Sequence, residues 1–228
     1  MSLYVIGDLH LSLSVDKPMD EFGGEWRGYV QKLEQSWCET VACEDTVVVA
    51  GDISWGMDLA QAQRDFAFIE ALPGRKVIIK GNHDYYWTTV SGMMRFFENN
   101  GFKTMSFLHN SFLECEGTAV CGTKGWAFDE SEQGKLFNRE LMRLEASLKA
   151  ADAAGYAEKT VVMHYPPLNG ERIAPKAVEL FDRYGVKRCF YGHLHGRSRF
   201  NALTGQIGNT EYWLISADNL SFKPFKIV

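Results

Sequence analysis

The amino-acid sequence predicts one compact α/β domain spanning residues 1–228. Its length is more than a minimal domain needs and less than two full domains require. Short apolar runs typical of buried strands alternate along the chain with segments of helical periodicity. No internal repeat, low-complexity tract or linker interrupts this alternation, so no domain boundary is predicted.

Five apolar runs are the predicted core strands, and each ends at a short polar motif. They are Leu3–Ile6, Thr46–Ala50, Lys76–Lys80, Thr160–Met163 and Arg188–Tyr191. Continuous apolar runs of this length indicate strands that are buried on both faces. Because open α/β sheets bind ligands just beyond the carboxyl ends of their strands, we expect these five ends to converge on one site.

The segments of helical periodicity lie between the predicted strands. They are Glu25–Cys43, Leu59–Leu72, Trp87–Asn100, Glu132–Ala154 and Pro175–Tyr184. Gly and Pro after two of them are typical helix stops. Two further pairs of short runs indicate antiparallel strands: Ser111–Cys115 with Thr118–Cys121, and Glu211–Ser216 with Phe222–Val228. Together these segments predict a two-layer β core with helices outside.

Composition and charge restrict the class of protein. Hydrophobic residues make up 46% of the chain and charged residues 23%, as in ordinary globular proteins. The formal net charge is −5 with scattered basic residues, which argues against broad nucleic-acid binding. The five cysteines contain no Cys-x-x-Cys pair and the chain has no leader-like start, so we expect a cytoplasmic protein. No apolar run of about 18 residues occurs, so we expect no membrane span.

Five of the six histidines fall inside an ordered series of motifs, and only His109 stands outside it. The series is Asp8-Leu9-His10, Gly51-Asp52, Gly81-Asn82-His83-Asp84, His164, and Gly192-His193-Leu194-His195. Imidazole, carboxylate and amide oxygen are ligands that suit zinc, manganese, iron or magnesium. Two such ions about 3.5–4 Å apart are a recurring device for displacement at phosphorus.

In content and order, this series resembles that of the calcineurin-like metallophosphoesterases, from Asp8 to His195. Each element alone is weak evidence, but all five in order, each after an apolar run, form a specific signal. The resemblance implies a single metallophosphoesterase domain with a four-layer α/β/β/α sandwich, in which helices flank two mixed β-sheets. It also implies an enzyme that hydrolyses phosphoric esters.

By the same resemblance, seven residues would hold two metal ions. Asp8, His10 and His195 would bind the first ion, and Asn82, His164 and His193 would bind the second. Asp52 would bridge the two, since a carboxylate has two anionic oxygens and a neutral imidazole does not. The resemblance allows manganese, iron or zinc, with manganese as the first expectation. A water held between the ions would attack phosphorus.

The two remaining motif residues have predicted catalytic roles. His83 would not bind metal and would instead stabilise or protonate the leaving oxygen, and Asp84 would hold the His83 ring through its other nitrogen. If substitution of His83 by Asn retained full turnover with the metals bound, this assignment would be wrong.

The substrate is left open by the sequence. Many relatives carry Arg or Asp at the position of Trp55, and an arginine there often touches phosphate. Arg27, Arg139, Arg172 or Arg197 are the alternatives, and the sequence does not choose among them. Aromatic residues beside the motifs either pack in the core or line a substrate pocket; they are Trp55, Tyr85–Trp87, Trp126, Phe128 and Tyr165.

Three functions therefore compete. The first is hydrolysis of a phosphomonoester or phosphodiester in a small molecule such as a nucleotide. The second is a protein phosphatase or nuclease with the same chemistry, disfavoured by Trp55 and by the acidic balance. The third is a non-catalytic scaffold of the same fold, disfavoured by the complete ligand set.

Overall fold

The computed structural model describes residues 1–127, 133–169 and 171–228, in which two β-sheets stack between two layers of helices. The strands are β1 (Leu3–Ile6), β2 (Thr46–Ala50), β3 (Arg75–Ile79), β4 (Met105–Phe107), β5 (Phe112–Cys115), β6 (Thr118–Thr123), β7 (Lys159–Met163), β8 (Leu168–Asn169), β9 (Arg172–Ile173), β10 (Val186–Tyr191), β11 (Gly205–Ile207), β12 (Thr210–Leu214) and β13 (Phe225–Lys226). The helices are α1 (Tyr29–Thr40), α2 (Leu59–Ala71), α3 (Val90–Asn99), α4 (Lys135–Ala153) and α5 (Pro175–Tyr184).

Both large sheets are mixed. The first has the order β13-β1-β2-β3-β4, and all its neighbours are parallel except the antiparallel pair β13 and β1. The second has the order β11-β12-β10-β7-β6-β5, with antiparallel pairs at both edges. The central strands of both sheets are parallel, so their carboxyl ends meet at the same edge.

Each central strand is buried on both faces. Alternate residues such as Val48 of β2 and Val162 of β7 pack between the two sheets. Their sequence neighbours point outward instead: Val47 packs with α1 to α3, and Val161 packs with α4 and α5. The structure thus has the four-layer α/β/β/α architecture expected from the motifs.

The predicted core strands and helices are confirmed, with most bounds shifted by a few residues. The first predicted helix starts late, because residues Gly24–Trp26 form a 3₁₀ turn before α1 begins. The predicted start of α4 at Glu132 lies outside the described residues. Within the described residues, no helix is long and apolar enough to span a membrane.

The carboxyl-terminal strands differ from the expectation. The middle pair forms the predicted antiparallel hairpin, β5 with β6. The final pair does not, because β12 joins the second sheet beside β10 whereas β13 joins the first sheet beside β1. The chain therefore crosses between the sheets after β12, a choice that local hydrophobic pattern cannot specify.

Candidate metal centre

The predicted ligands lie where four parallel strands end. Asp8 and Asp52 follow β1 and β2 in the first sheet, and His164 and His193 follow β7 and β10 in the second. Since the two sheets are packed face to face, these four strand ends bring two carboxylates and two imidazoles to one edge of the sandwich.

The backbone at this edge is strained. Asp8, His10, Asp52 and His193 have positive φ angles of 56°, 46°, 51° and 70°. Residues with a Cβ adopt this conformation at an energetic cost, and such residues cluster at functional sites. Here it turns four predicted ligands out of the strand direction and toward one another.

Two glycines allow a close approach of the backbone to the carboxylates. A Cβ at Gly81 would overlap the side chain and the backbone nitrogen of Asp52, and a Cβ at Gly192 would overlap the carboxylate of Asp8. Neither glycine has a positive φ angle in the structure. These two glycines therefore leave space for the predicted ligands rather than permit a special turn.

The first ligand group contains Asp8, His10 and Asp52, whose ligand atoms lie within 4.8 Å of one another. The His10 Nε2 atom is 3.8 Å from an oxygen of Asp52. The hydroxyl of Tyr29 donates to the backbone carbonyl of His10 at 2.7 Å and fixes its position. The His195 ring lies next to this group, with its centroid 5.1 Å from that of His10.

Both ring nitrogens of His10 are buried and have no hydrogen-bond partner among the described residues. A buried polar atom without a partner is unfavourable by about 1–3 kcal/mol, so native structures rarely keep one. A metal ion bound by His10 would supply the missing interaction for one of these nitrogens.

The second ligand group contains Asp52, His164 and His193, again within 4.8 Å of one another. Asp52 belongs to both groups. The His164 Nδ1 atom donates to the carbonyl of Ala50 at 2.9 Å, which leaves the Nε2 lone pair facing the amide oxygen of Asn82 at 2.6 Å. Two acceptors placed this close to one another fit a cation that both would bind.

Burial sets the protonation of the centre. It lowers the pKa of His164 to about 4 and that of His193 to about 3, and it also lowers the pKa of His10 and His195. Burial raises the pKa of Asp52 to about 6, while burial followed by the charge of Asp52 raises the pKa of Asp8. At neutral pH the imidazoles are therefore neutral, as metal ligands must be.

Among the described residues, Asp84 makes no hydrogen bond to the His83 ring, although the predicted orienting role requires one. One oxygen of Asp84 accepts from the amides of Asp52 at 3.1 Å and Gly81 at 2.6 Å. The other accepts from the amide of Ile53 at 2.8 Å and the hydroxyl of Tyr86 at 2.7 Å. With both oxygens engaged, Asp84 ties the loop after β2 to the loop after β3.

The partner of His83 is instead Tyr85. The His83 Nδ1 atom and the Tyr85 hydroxyl are 3.0 Å apart, and the half-buried His83 ring also packs on Trp55 at 4.7 Å between centroids. The amide of His83 donates to Asp52 at 2.7 Å. His83 thus lies beside the ligand groups with its ring in contact with two aromatic side chains.

Trp55 also packs on a predicted ligand. Its ring stacks on that of His10, with centroids 4.8 Å apart and an interplanar angle of 19°. Of the four arginines considered as substitutes, Arg139 lines a cavity near the centre, whereas Arg27, Arg172 and Arg197 are exposed and do not line that cavity. Phe128 lies outside the described residues.

Sequence reasoning missed the side chains that support the predicted ligands and a lysine whose charge acts on them. Tyr29 lies in a predicted helical segment and Tyr86 among the aromatic residues that follow a motif, and their hydroxyl contacts depend on the tertiary fold. Lys124 directly follows β6, and its charge lowers the pKa of the Asp52 carboxyl as one of several secondary causes. Its position at a strand end was the available signal.

Comparisons with known proteins agree with this geometry. Three solved structures share the fold over nearly their whole length. The protein AQ665 from Aquifex aeolicus has a TM-score of 0.54 and 15% identity, with 99% of this chain and 95% of that chain covered. The phosphopantetheinyl hydrolase PptH from Mycobacterium tuberculosis has a TM-score of 0.59 and 12% identity (100% and 95% covered), and TT1561 of Thermus thermophilus has a TM-score of 0.56 and 14% identity (99% and 97% covered). At these identities the likeness concerns the fold alone. A search of the curated proteins finds no match.

A family model for the calcineurin-like phosphoesterases matches residues 1–197, which include all the motifs from Asp8 to His195. The match covers most of the chain and agrees with the two mixed sheets and the clustered ligands. This chain belongs to the calcineurin-like phosphoesterase family.

Proposed function

We propose that this protein is a metal-dependent phosphohydrolase that cleaves a phosphomonoester or phosphodiester bond in a small molecule, such as a nucleotide. The observation that carries the proposal is the pair of ligand groups that share Asp52. Such an arrangement suits two divalent cations, with manganese as the first candidate. Family membership supports metal-dependent hydrolysis of phosphoric esters.

The residues fit the predicted ligand assignment. Asp8, His10 and His195 would hold one ion, Asn82, His164 and His193 the other, and Asp52 would bind both. Bound cations would supply Lewis-acid activation of water and of the phosphoryl group. The protein keeps the imidazoles neutral by burial and fixes His164 through the carbonyl of Ala50, so the ligands need little rearrangement on binding.

His83 would assist the leaving group. It lies outside the two ligand groups and lines a cleft of about 330 Å³ together with Trp55, Met57, Tyr85 and Lys17. A leaving group in this cleft would contact aromatic and apolar surfaces while its oxygen faces the His83 ring. Tyr85, rather than Asp84, would hold that ring through Nδ1.

A substrate panel tests the proposal. The purified protein is loaded with manganese, zinc or iron and assayed with p-nitrophenyl phosphate, bis-p-nitrophenyl phosphate, nucleotides, a phosphopeptide and DNA. We expect hydrolysis of at least one small ester and its loss on chelation. Hydrolysis of only the phosphopeptide or DNA would favour a protein phosphatase or nuclease. No turnover and no metal bound would favour a scaffold.

Substitutions at the carboxylates test the assignment of the two sites. We expect Asp52→Asn to abolish turnover and to weaken both ions, whereas Asp8→Asn should mainly weaken one. Metal counting by atomic emission after dialysis measures the occupancy. Full occupancy in both variants would contradict the shared ligand.

His83→Asn tests the leaving-group role. We expect this variant to keep both metals and to lose most of its turnover number, because His83 contacts neither ion in the proposed arrangement. General acid catalysis by one side chain contributes about 10²–10⁴-fold to a rate. Full turnover with both metals bound would remove His83 from the mechanism.

A further inference from the structure

A pair of lysines extends the row of strand ends that forms the metal centre. Lys80 follows β3 in the first sheet, and Lys124 follows β6 in the second. The two strands face each other across the sandwich, since a Cβ at Gly122 of β6 would contact the side chain of Ile79 of β3. The lysines thus lie about one strand spacing, roughly 5 Å, beyond the strands that carry Asp52 and His164.

Both lysines line one cavity of about 730 Å³ beside the proposed metal centre. On one side, Lys80 is two residues before Asn82. On the other, the Lys124 ammonium lies 5.7 Å from the centroid of the Tyr165 ring, which itself packs at 4.4 Å on the ring of His193. The cavity therefore adjoins the proposed metal centre, on one side through the loop that carries Asn82 and on the other through the Tyr165 ring.

The cavity is strongly basic in the part of the chain that the structure describes. Lys80, Lys124, Arg139 and Arg143 line it, together with the exposed His109 and a single carboxylate, Glu140. Glu140 is already engaged, because it accepts from Arg143 at 2.6 Å, from Arg139 at 3.3 Å and from the hydroxyl of Thr123 at 2.8 Å. Its oxygens are therefore hydrogen-bonded to the two arginines and the threonine. Against the lowering that burial causes, its charge also raises the pKa of Lys124 and Lys80.

The two lysines, in contrast, have no hydrogen-bond acceptor in the part of the chain that the structure describes. Among the described residues, neither ammonium group has a hydrogen bond or an ion pair, and each lies only over an aromatic ring, Lys80 at 5.9 Å from Trp87 and Lys124 at 5.7 Å from Tyr165. Half-buried ammonium groups that share one cavity repel each other. A bound anion would relieve this repulsion.

The amino end of α3 borders the same cavity. Thr88, Thr89 and Ser91 line it, and the Thr89 hydroxyl accepts from the amide of Gly92 as the helix cap. Hydroxyl groups and the positive end of the helix dipole add to the attraction of the lysines for an anion. The cavity would attract either a carboxylate or a phosphate group. A phosphate group offers more acceptor oxygens than a carboxylate to the two lysines and the hydroxyl groups.

We propose that the cavity formed by Lys80, Lys124 and the start of α3 binds a second phosphate group of the substrate, while the first lies at the metal centre. This inference rests on the proposed function, since it places the scissile phosphate at the metals. The substrate class is a small molecule with two phosphate groups whose separation spans the distance from Asp52 to the lysines.

Two ligands that differ by one phosphate test the proposal. The manganese-loaded protein is titrated calorimetrically with propyl phosphate and with propane-1,3-diyl bisphosphate, and bound manganese is counted before and after. We expect the bisphosphate to bind at least about tenfold more tightly, from two charge-assisted contacts. In the double variant Lys80→Gln/Lys124→Gln, this preference should fall to about twofold, with the affinity for propyl phosphate nearly unchanged.

Lys187→Gln is the matched control, because Lys187 is an exposed lysine near the opposite end of β10. It should keep the full preference. If the double variant does not fold, the single variants replace it, and each should lose about twofold to threefold in bisphosphate affinity, since the two losses together make up the fall from about tenfold to about twofold.

Two outcomes would overturn the second phosphate site. One is equal affinity of the wild-type protein for the two ligands. The other is an equal loss for both ligands in the lysine variants, which would place the lysines on the phosphate at the metal centre. Because binding is measured without turnover, a protein that prefers the bisphosphate but hydrolyses no ester would contradict the proposed hydrolase and leave the phosphate site standing.

Discussion

Substitution of Asp84 by Asn tests whether this buried residue supports the centre or orients His83. In the structure, the two oxygens of Asp84 accept four hydrogen bonds, from the amides of Asp52, Ile53 and Gly81 and from the hydroxyl of Tyr86. An amide in place of the carboxylate converts one of these oxygens into a donor. At least one backbone amide then faces another donor.

The loss in the free energy of unfolding depends on which oxygen of Asp84 the NH₂ group of the asparagine replaces. If the new NH₂ group faces Asp52 and Gly81, two buried amides lose their acceptor. If it faces Ile53 and Tyr86, the tyrosine hydroxyl can accept from it and only the amide of Ile53 is stranded. The second arrangement costs less. One stranded buried donor costs about 1–3 kcal/mol, so we expect the free energy of unfolding to fall by about 2 kcal/mol.

For a chain of this length, a loss of about 2 kcal/mol corresponds to a fall in Tm of about 4–8 °C. Differential scanning calorimetry of the manganese-loaded protein measures the fall in Tm. Metal counting shows whether the loops that Asp84 connects still hold manganese. Tyr86→Phe is the matched control, because it removes one donor and leaves the three amides bonded. It should lower the Tm by about 2–4 °C. An unchanged Tm with lost turnover in Asp84→Asn would refute this reasoning and restore the orienting role.

Three further predictions concern the ligands. Gly81→Ala should displace Asp52 and reduce manganese occupancy at both sites, as measured by metal counting, whereas Gly24→Ala, where a Cβ meets open space, should not. Manganese affinity, measured by calorimetric titration, should be constant above about pH 6 and fall about tenfold per pH unit below it. The reason is that the pKa of Asp52 is raised to about 6, so a proton competes with the metal for the carboxylate below this pH. Chelation should lower the Tm by about 5–11 °C, since a ligand present at 100 times its Kd stabilises the folded state by about 2.7 kcal/mol.

Each of these predictions has a contrary outcome. Full metal occupancy in Gly81→Ala would mean that the loop moves without disturbing Asp52. A fall in affinity that begins only near pH 4 would assign the competing proton to His164, whose pKa is lowered to about 4 by burial. An unchanged Tm after chelation would show that the buried carboxylates Asp8 and Asp52 need no cation for stability.

The sequence specified the strands and the candidate ligands that follow them, because both depend on local pattern. Apolar runs such as Thr46–Ala50 fold as strands with the predicted bounds, and the motif residues follow them directly. Parallel strands place their carboxyl ends at one edge of a sheet. The position of the motifs after these strands was therefore enough to predict that Asp8, Asp52 and His164 lie close together.

The sequence did not determine contacts between segments that are distant along the chain. The partners of Asp84 come from the loops after β2 and β3, and only the packed loops show that its oxygens are already engaged. The split of β12 and β13 between two sheets has the same cause, because either sheet could accept a short apolar strand.

By itself, the sequence determined the architecture, the ligand types and the chemistry they suit, since these follow from periodicity and from the order of short motifs. Only the tertiary structure decided which groups surround the ligands: Tyr85 at His83, Trp55 stacked on His10, and the facing pair Lys80 and Lys124. The physical reason is that side chains on separate strands and sheets meet only when the two sheets pack, and no local pattern records that packing.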